Sequence, residues 1–299
     1  MAGELQGIGP YRLLGVIGEG ERAVVYRAVL GDGSADDRPV AVKVLRSFLE
    51  DEAAVSDDLK ARVDVGRALS HDNILASSAY GEADGRPYAV TQLCEGISLE
   101  DLPIRKKSGR LKPEPALAVL HGLLNGLAAA CGTEDGPFIH GTLDAGDVLL
   151  GDEGEVRLAG LGVPGDPQTD LRAVAGLAED LCRQWPMRVD AWIDRLKDGE
   201  DAFPDAQAAL DEFPMDTFPE GVLASGGTVL ARAVRRVLKK RVAESEAEAE
   251  PQPSITEIEE VHTPVELDPR TLFQANAVAW ACAAVVLLAV TLEIITFGP

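Results

Sequence analysis

Hydrophobic positions follow two different rhythms along this chain. In the first hundred residues they form short runs of strand length: Tyr11 to Ile17, Ala23 to Val29, Pro39 to Leu45 and Tyr88 to Leu93. The first two flank a Gly-bearing turn. After about Glu114 the spacing becomes helical, with Ala116, Leu117, Val119, Leu120, Leu123, Leu124 and Leu127 making one broad stripe for burial. Strands followed by helices predict an α+β arrangement, a small β-rich lobe ahead of a larger helical one. No internal repeat is evident.

The pattern changes twice more. From Ala243 to about Pro269 the chain is rich in Glu and Pro, with nine acids and no Lys or Arg. Such a segment cannot offset its ordering entropy, so residues 243–270 are expected to be a disordered acidic linker, whose simplest role is that of a solvated tether. Thr271 to Leu292 then gives 22 residues without a formal charge. As a helix they would extend about 33 Å, enough to cross a bilayer, and a transmembrane helix is expected over 271–296 in preference to a buried core helix. Arg270 abuts this span, six bases lie between Arg232 and Arg241, and nothing basic follows. That asymmetry puts the N-terminal domain, residues 1–242, in the cytoplasm of a single-pass membrane protein.

Composition sharpens the picture. The 299 residues carry 50 acids against 28 bases, a net charge of −22, which disfavours nucleic acid as a partner. The four cysteines form no CxxC pair and the four histidines no ligand-spaced cluster, which fits a reducing compartment without a zinc site. Met1 to Pro10 has neither a basic nor an apolar segment of signal-peptide type. Against the acidic background, five bases fall between Arg105 and Lys112, suited to a solvated loop, to anionic headgroups or to an acidic partner. Thr228 to Val242 reads as a basic amphipathic helix, more in keeping with the closing helix of a domain than with a membrane binder. His121 and His140 sit in apolar surroundings and are expected to be hydrogen-bonded core residues.

The candidate chemistry lies in an ordered series of motifs. Gly18-Glu19-Gly20 sits between two strands, with Val25 beyond it and Ala23 where a third glycine would stand. By itself this marks only a hairpin. Val40-Ala41-Val42-Lys43 puts a lysine inside an apolar strand, where a buried ammonium would need an anionic partner such as a phosphate. His71-Asp72-Asn73-Ile74, the strand from Tyr88, the segment Ile139 to Leu150, the strand Val156 to Gly162 and Asp170 with Gly176 follow in order.

Together these resemble the bacterial eukaryotic-like Ser/Thr protein kinases over roughly residues 11 to 180, with a weaker tail to about 242. The resemblance implies a two-lobed protein-kinase-like fold. It places Gly18, Gly20, Val25 and Lys43 against nucleotide phosphates, Thr91 at the gatekeeper position, and Gln92 to Cys94 along the adenine. His140-Gly141-Thr142 overlays the catalytic loop, and Gly160-Leu161-Gly162 overlays the metal-binding Asp-Phe-Gly.

The same overlay shows what is missing. Phosphoryl transfer uses an Asp to orient the hydroxyl and an Asn and an Asp to hold metal ions. Their counterparts here are Thr142, Asp147 and Gly160, and the loop lysine is Asp144. A hydroxyl is no substitute for a carboxylate base, and glycine binds no metal. The glutamate that should pair with Lys43 falls near Arg62, whose like charge would repel it. Seven residues separate Gly162 from Asp170, so the activation segment is truncated.

These losses imply a pseudokinase with no catalytic residues, no bound metal and no required cofactor. Nucleotide contacts at Gly18, Gly20, Val25, Lys43 and Thr91 would be vestigial, holding ATP weakly and without magnesium if at all. Lys43 would then reach solvent or pair with Asp144 or Asp147. Its expected role is that of a scaffold or allosteric regulator for a cytoplasmic or membrane-proximal protein. Thr256 and Thr263 are candidate sites for a phosphothreonine reader. The alternatives are a weakly active or atypical Ser/Thr kinase using Asp144 and Asp147, or a metal-independent ATP sensor.

Overall fold

Apolar residues of the first ninety positions alternate between two faces of an antiparallel sheet. The computed structural model describes residues 5–31, 38–46, 52–102, 111–134, 136–197 and 199–249. The span expected over 271–296, the linker beyond Ala249 with Thr256 and Thr263, and most of the basic run from Arg105 lie outside the described residues. Strands β1 (Gly7–Ile8), β2 (Tyr11–Glu19), β3 (Ala23–Leu30), β4 (Val40–Leu45), β5 (Ser77–Ala83) and β6 (Arg86–Gln92) assemble in the order β1-β2-β3-β4-β6-β5. One face buries Ala28, Val42, Val44, Tyr88 and Val90. The other, through Ala23, Leu45 and Ala89, receives Leu59 and Val63 of helix α1 (Glu52–Ala68).

The chain then passes through β7 (Gly96–Ser98) into α2 (Pro113–Cys131), the centre of the helical half. Pro113 opens this helix, where its missing N–H is harmless. Leu117, Leu120, Leu123, Leu124 and Leu127 are fully or almost fully buried, each contributing about 1.5–3 kcal/mol of apolar burial. Among the described residues α2 is the one helix long and apolar enough to cross a membrane, and most of it is buried in this core.

Around α2 lie β8 (Phe138–Ile139), the hairpin β9 (Val148–Gly151) and β10 (Val156–Leu158), and β11 (Val163–Pro164). Strands β10, β9 and β7 form one small sheet, and β8 pairs with β11. Helices α3 (Gln168–Leu181), α4 (Met187–Asp194), α5 (Ala206–Asp211) and α6 (Val222–Ala249) complete the unit. The His71 motif fastens the hairpin: Asn73 donates its side-chain N–H to the Val156 carbonyl at 2.8 Å, and its own carbonyl accepts from Leu158 N–H at 2.9 Å.

Helix α6 differs from expectation at its end. It runs to Ala249, seven residues past the boundary read at 242, because the Ala- and Glu-rich stretch that follows favours helix. Its buried side, Leu230, Ala231 and Val234, closes the helical core as the sequence pattern suggested.

Candidate functional site

The sheet half of the site is set by register. Val25 on β3, Lys43 on β4 and Ala89 on β6 stand directly opposite one another. Thr91 stands two residues along from Ala89, opposite Ala41, so Val25, Lys43 and Thr91 share one face. Gly18 pairs with Val25, and the Gly20 N–H donates to the Ala23 carbonyl at 2.9 Å, closing the turn as a tight hairpin. Arg46 adds a bond from Nε to the Gly20 carbonyl at 3.1 Å. Of the two settings expected for a vestigial lysine, solvent or a loop carboxylate, Lys43 takes the first, being exposed. Its strand neighbours on that face are Val25 and Ala89, and among the described residues it forms no ion pair.

The loop half is organised by one buried carboxylate. Asp170, 2% exposed on α3, accepts from the His140 backbone N–H at 2.7 Å and from the Gly141 N–H at 2.9 Å. The loop that follows closes on itself. Asp144 Oδ1 accepts from the Gly146 N–H at 2.6 Å, and Asp147 Oδ2 accepts from the Asp144 N–H at 3.1 Å. Asp147 also faces His140, with Oδ2 3.5 Å from Nε2. Burial works to raise the Asp147 carboxyl, but the His140 ring, the Asp144 N–H and the Lys43 charge outweigh it and hold the group below the ordinary carboxylate range. Thr142 is exposed, and its hydroxyl forms no hydrogen bond among the described residues.

Two sequence expectations change here. His140 is buried, and among the described residues its ring has only the long 3.5 Å approach of Nε2 to Asp147, whereas half-buried His121 is bonded to Asn125 at 2.9 Å. Arg62 does not confront Lys43. Its Nε bonds Asp58 at 2.8 Å, and its Nη1 donates to the His140 carbonyl at 2.9 Å and the Gly160 carbonyl at 2.5 Å. A cation on α1 therefore ties that helix to both the catalytic-loop and the Gly-Leu-Gly segments. This function is invisible in local sequence because both acceptors are backbone carbonyls.

The Gly-Leu-Gly stretch is shaped by that contact. Gly162 has φ +132°, and a Cβ there would stand 2.9 Å from Val65 Cβ and 3.1 Å from Arg62 Cα and carbonyl oxygen. Gly160 offers no side chain to a metal ion, and no group of three metal-ligating side chains occurs among the described residues. Beyond Gly162 the strand β11 pairs with β8, and residues 165–167 connect it directly to α3. Across the cleft, Glu95 ties the segment after β6 to β3 through Arg27 at 2.8 Å, and its carbonyl accepts from the Asp152 N–H at 3.0 Å. Burial, then the nearby Glu155 charge, pushes the Cys94 thiol up to about 11, so it is a weak nucleophile.

A sheet bearing a glycine turn and a strand lysine, set over a loop whose backbone hangs from a buried helix aspartate, defines a protein-kinase fold. The chain belongs to the protein tyrosine and serine/threonine kinase family, whose pattern it matches over residues 11–187. It is 32% identical over 168 residues to the serine/threonine-protein kinase PknL of Mycobacterium tuberculosis, covering 55% of this chain and 38% of that one. It is 26% identical over 155 residues to PrkC of Bacillus subtilis, covering 52% of this chain and 23% of that one. The chain thus matches well under half the length of these curated relatives. Among solved structures, the kinase domain of Mycobacterium tuberculosis PknI superposes with a TM-score of 0.56 at 19% identity, covering 69% of this chain and 95% of that domain.

Proposed function

We propose that this family member is a pseudokinase, a cytoplasmic domain on a C-terminal membrane anchor that acts by binding. The observation carrying this reading is the state of the loop half. Thr142 occupies the base position, Gly160 leaves the principal metal position without a carboxylate, and β11 enters α3 without room for a peptide platform. Asp144 and Asp147 remain, but their carboxylates are engaged by their own loop's N–H groups. With phosphoryl transfer gone, a scaffold or allosteric role toward a cytoplasmic or membrane-proximal protein is what the fold can still perform. Thr256 and Thr263, once phosphorylated, would offer a phosphothreonine reader a further handle.

The test is incorporation of labelled phosphate by the purified full chain, given ATP and magnesium, into itself and into generic substrates. None is expected. Incorporation abolished by Asp144→Asn or Asp147→Asn would instead establish an atypical Ser/Thr kinase, the reading that the ionised Asp147 beside Lys43 favours. Any ATP binding should be weak, indifferent to magnesium and abolished by Lys43→Ala. A strong magnesium-dependent thermal shift would overturn that expectation.

A further inference from the structure

Residues 222–243 of α6 carry six bases and no acid, on a chain whose net charge is −22. The helix turns these bases into a pattern. Leu230, Ala231 and Val234 face the core, while Arg232, Arg236, Lys239 and Lys240 fall within about 100° on the opposite side and are exposed. Arg235 flanks this stripe and Arg241 lies on the core-facing side, and both are tied to the body, Arg235 by Nε to the Asp152 carbonyl at 2.7 Å and Arg241 to Asp101 at 2.9 Å. Lys240 pairs with Glu244 at 3.1 Å, and among the described residues Arg232, Arg236 and Lys239 form no ion pair. The helix is therefore fixed with its cationic stripe outward.

We propose that the Arg232–Lys240 stripe of α6 docks on an anionic phospholipid surface. The proposal rests on the membrane-anchored reading above. The stripe has no aromatic side chain, and its one large exposed apolar residue is Val229 at its N-terminal end, Val242 lying off the stripe, whereas a protein interface is built around an apolar and aromatic centre. Headgroups need none, since each base near an anionic leaflet contributes separately to attraction. Screening confines the interaction to roughly 10 Å, so acids beyond that distance do not cancel it, and Glu244 offsets only Lys240 at the end of the stripe. Only 21 residues separate Ala249 from Thr271, and a coil of that length reaches about 25 Å, which would keep the stripe at high local concentration beside the bilayer.

The full chain is reconstituted into vesicles of phosphatidylcholine with or without phosphatidylglycerol. Acylation of Lys239 and Lys240 by a membrane-impermeant ester is read by mass spectrometry against exposed Lys60 on α1. Labelling of the pair is expected to fall several-fold only on the anionic vesicles, to return at high salt, and to return in the double variant Arg232→Gln, Arg236→Gln. Both arginines are exposed, so that variant should keep its melting temperature. Equal labelling on both vesicle types overturns the proposal, as does protection that appears only when cytosolic extract is added, which would assign the stripe to an acidic protein. Carbonate extraction of the same vesicles reads the anchor separately. A chain retained but unprotected refutes the docking alone, and a chain extracted yet protected refutes the anchor alone.

Discussion

Asp170 is the residue on which the site's backbone depends. Its carboxylate satisfies the N–H groups of His140 and Gly141 in a position 2% exposed, so its loss leaves two donors without acceptors. Asp170→Ala should cost about 3 kcal/mol, seen as a lower urea midpoint at unchanged m. Asp147 offers a second, pH-dependent effect. Its folded pKa lies below the unfolded 3.8, so its stabilising contribution is fully present above 3.8 and is lost as pH falls through the lowered value. The melting-temperature gap between the wild type and Asp147→Asn should therefore be fully developed above about pH 4 and shrink below it. The placing of Thr142, Asp147 and Gly160 rests on spacing within a motif and is read from the sequence alone. The setting of Lys43 is legible only as a choice between solvent and a loop carboxylate. Which of the two it takes depends on what α1 and the opposing loop bring to that face.

At the scale of elements, α1 is the part least expected from its own sequence and most consequential in the structure. Among the described residues Val55, Leu59 and Val63 pack it on the sheet, Ser56 bonds Tyr80 on β5 at 2.7 Å, and Val65 meets the helical core, while the Arg62 bonds to two loop carbonyls add a polar tie to the helical half. Arg62→Ala should cost about 1–3 kcal/mol and speed amide exchange in α1 and in residues 138–141, with α6 unaffected. Exchange rates unchanged in α1 would show that packing alone holds it. The strands β2, β3, β4 and β6, the helix α2 and the closing helix α6 were all readable from periodicity, to within a few residues. Strands β5, β7, β8 and β11 were not identified as strands, because they are short or mixed in character and gain their order from partners distant in sequence. The end of α6 is hidden for a related reason, since charge alone does not distinguish a solvated helix from a linker.

For the molecule as a whole, the proposal separates attachment from nucleotide chemistry. Deleting residues 271–299 should move the chain from the membrane to the soluble fraction, because the stripe on α6 alone gives only reversible binding. Lys43→Met should leave the cellular function intact, whereas the deletion should abolish it. The reverse outcome would favour an ATP sensor. The three residues that join β11 to α3 limit what substitution can add. On the proposed reading, a carboxylate at Thr142 or Gly160 is one residue replacement away, but a longer junction is not. Since no point substitution lengthens it, a variant of this chain could gain a metal ligand at Gly160 without gaining a place for a peptide to lie.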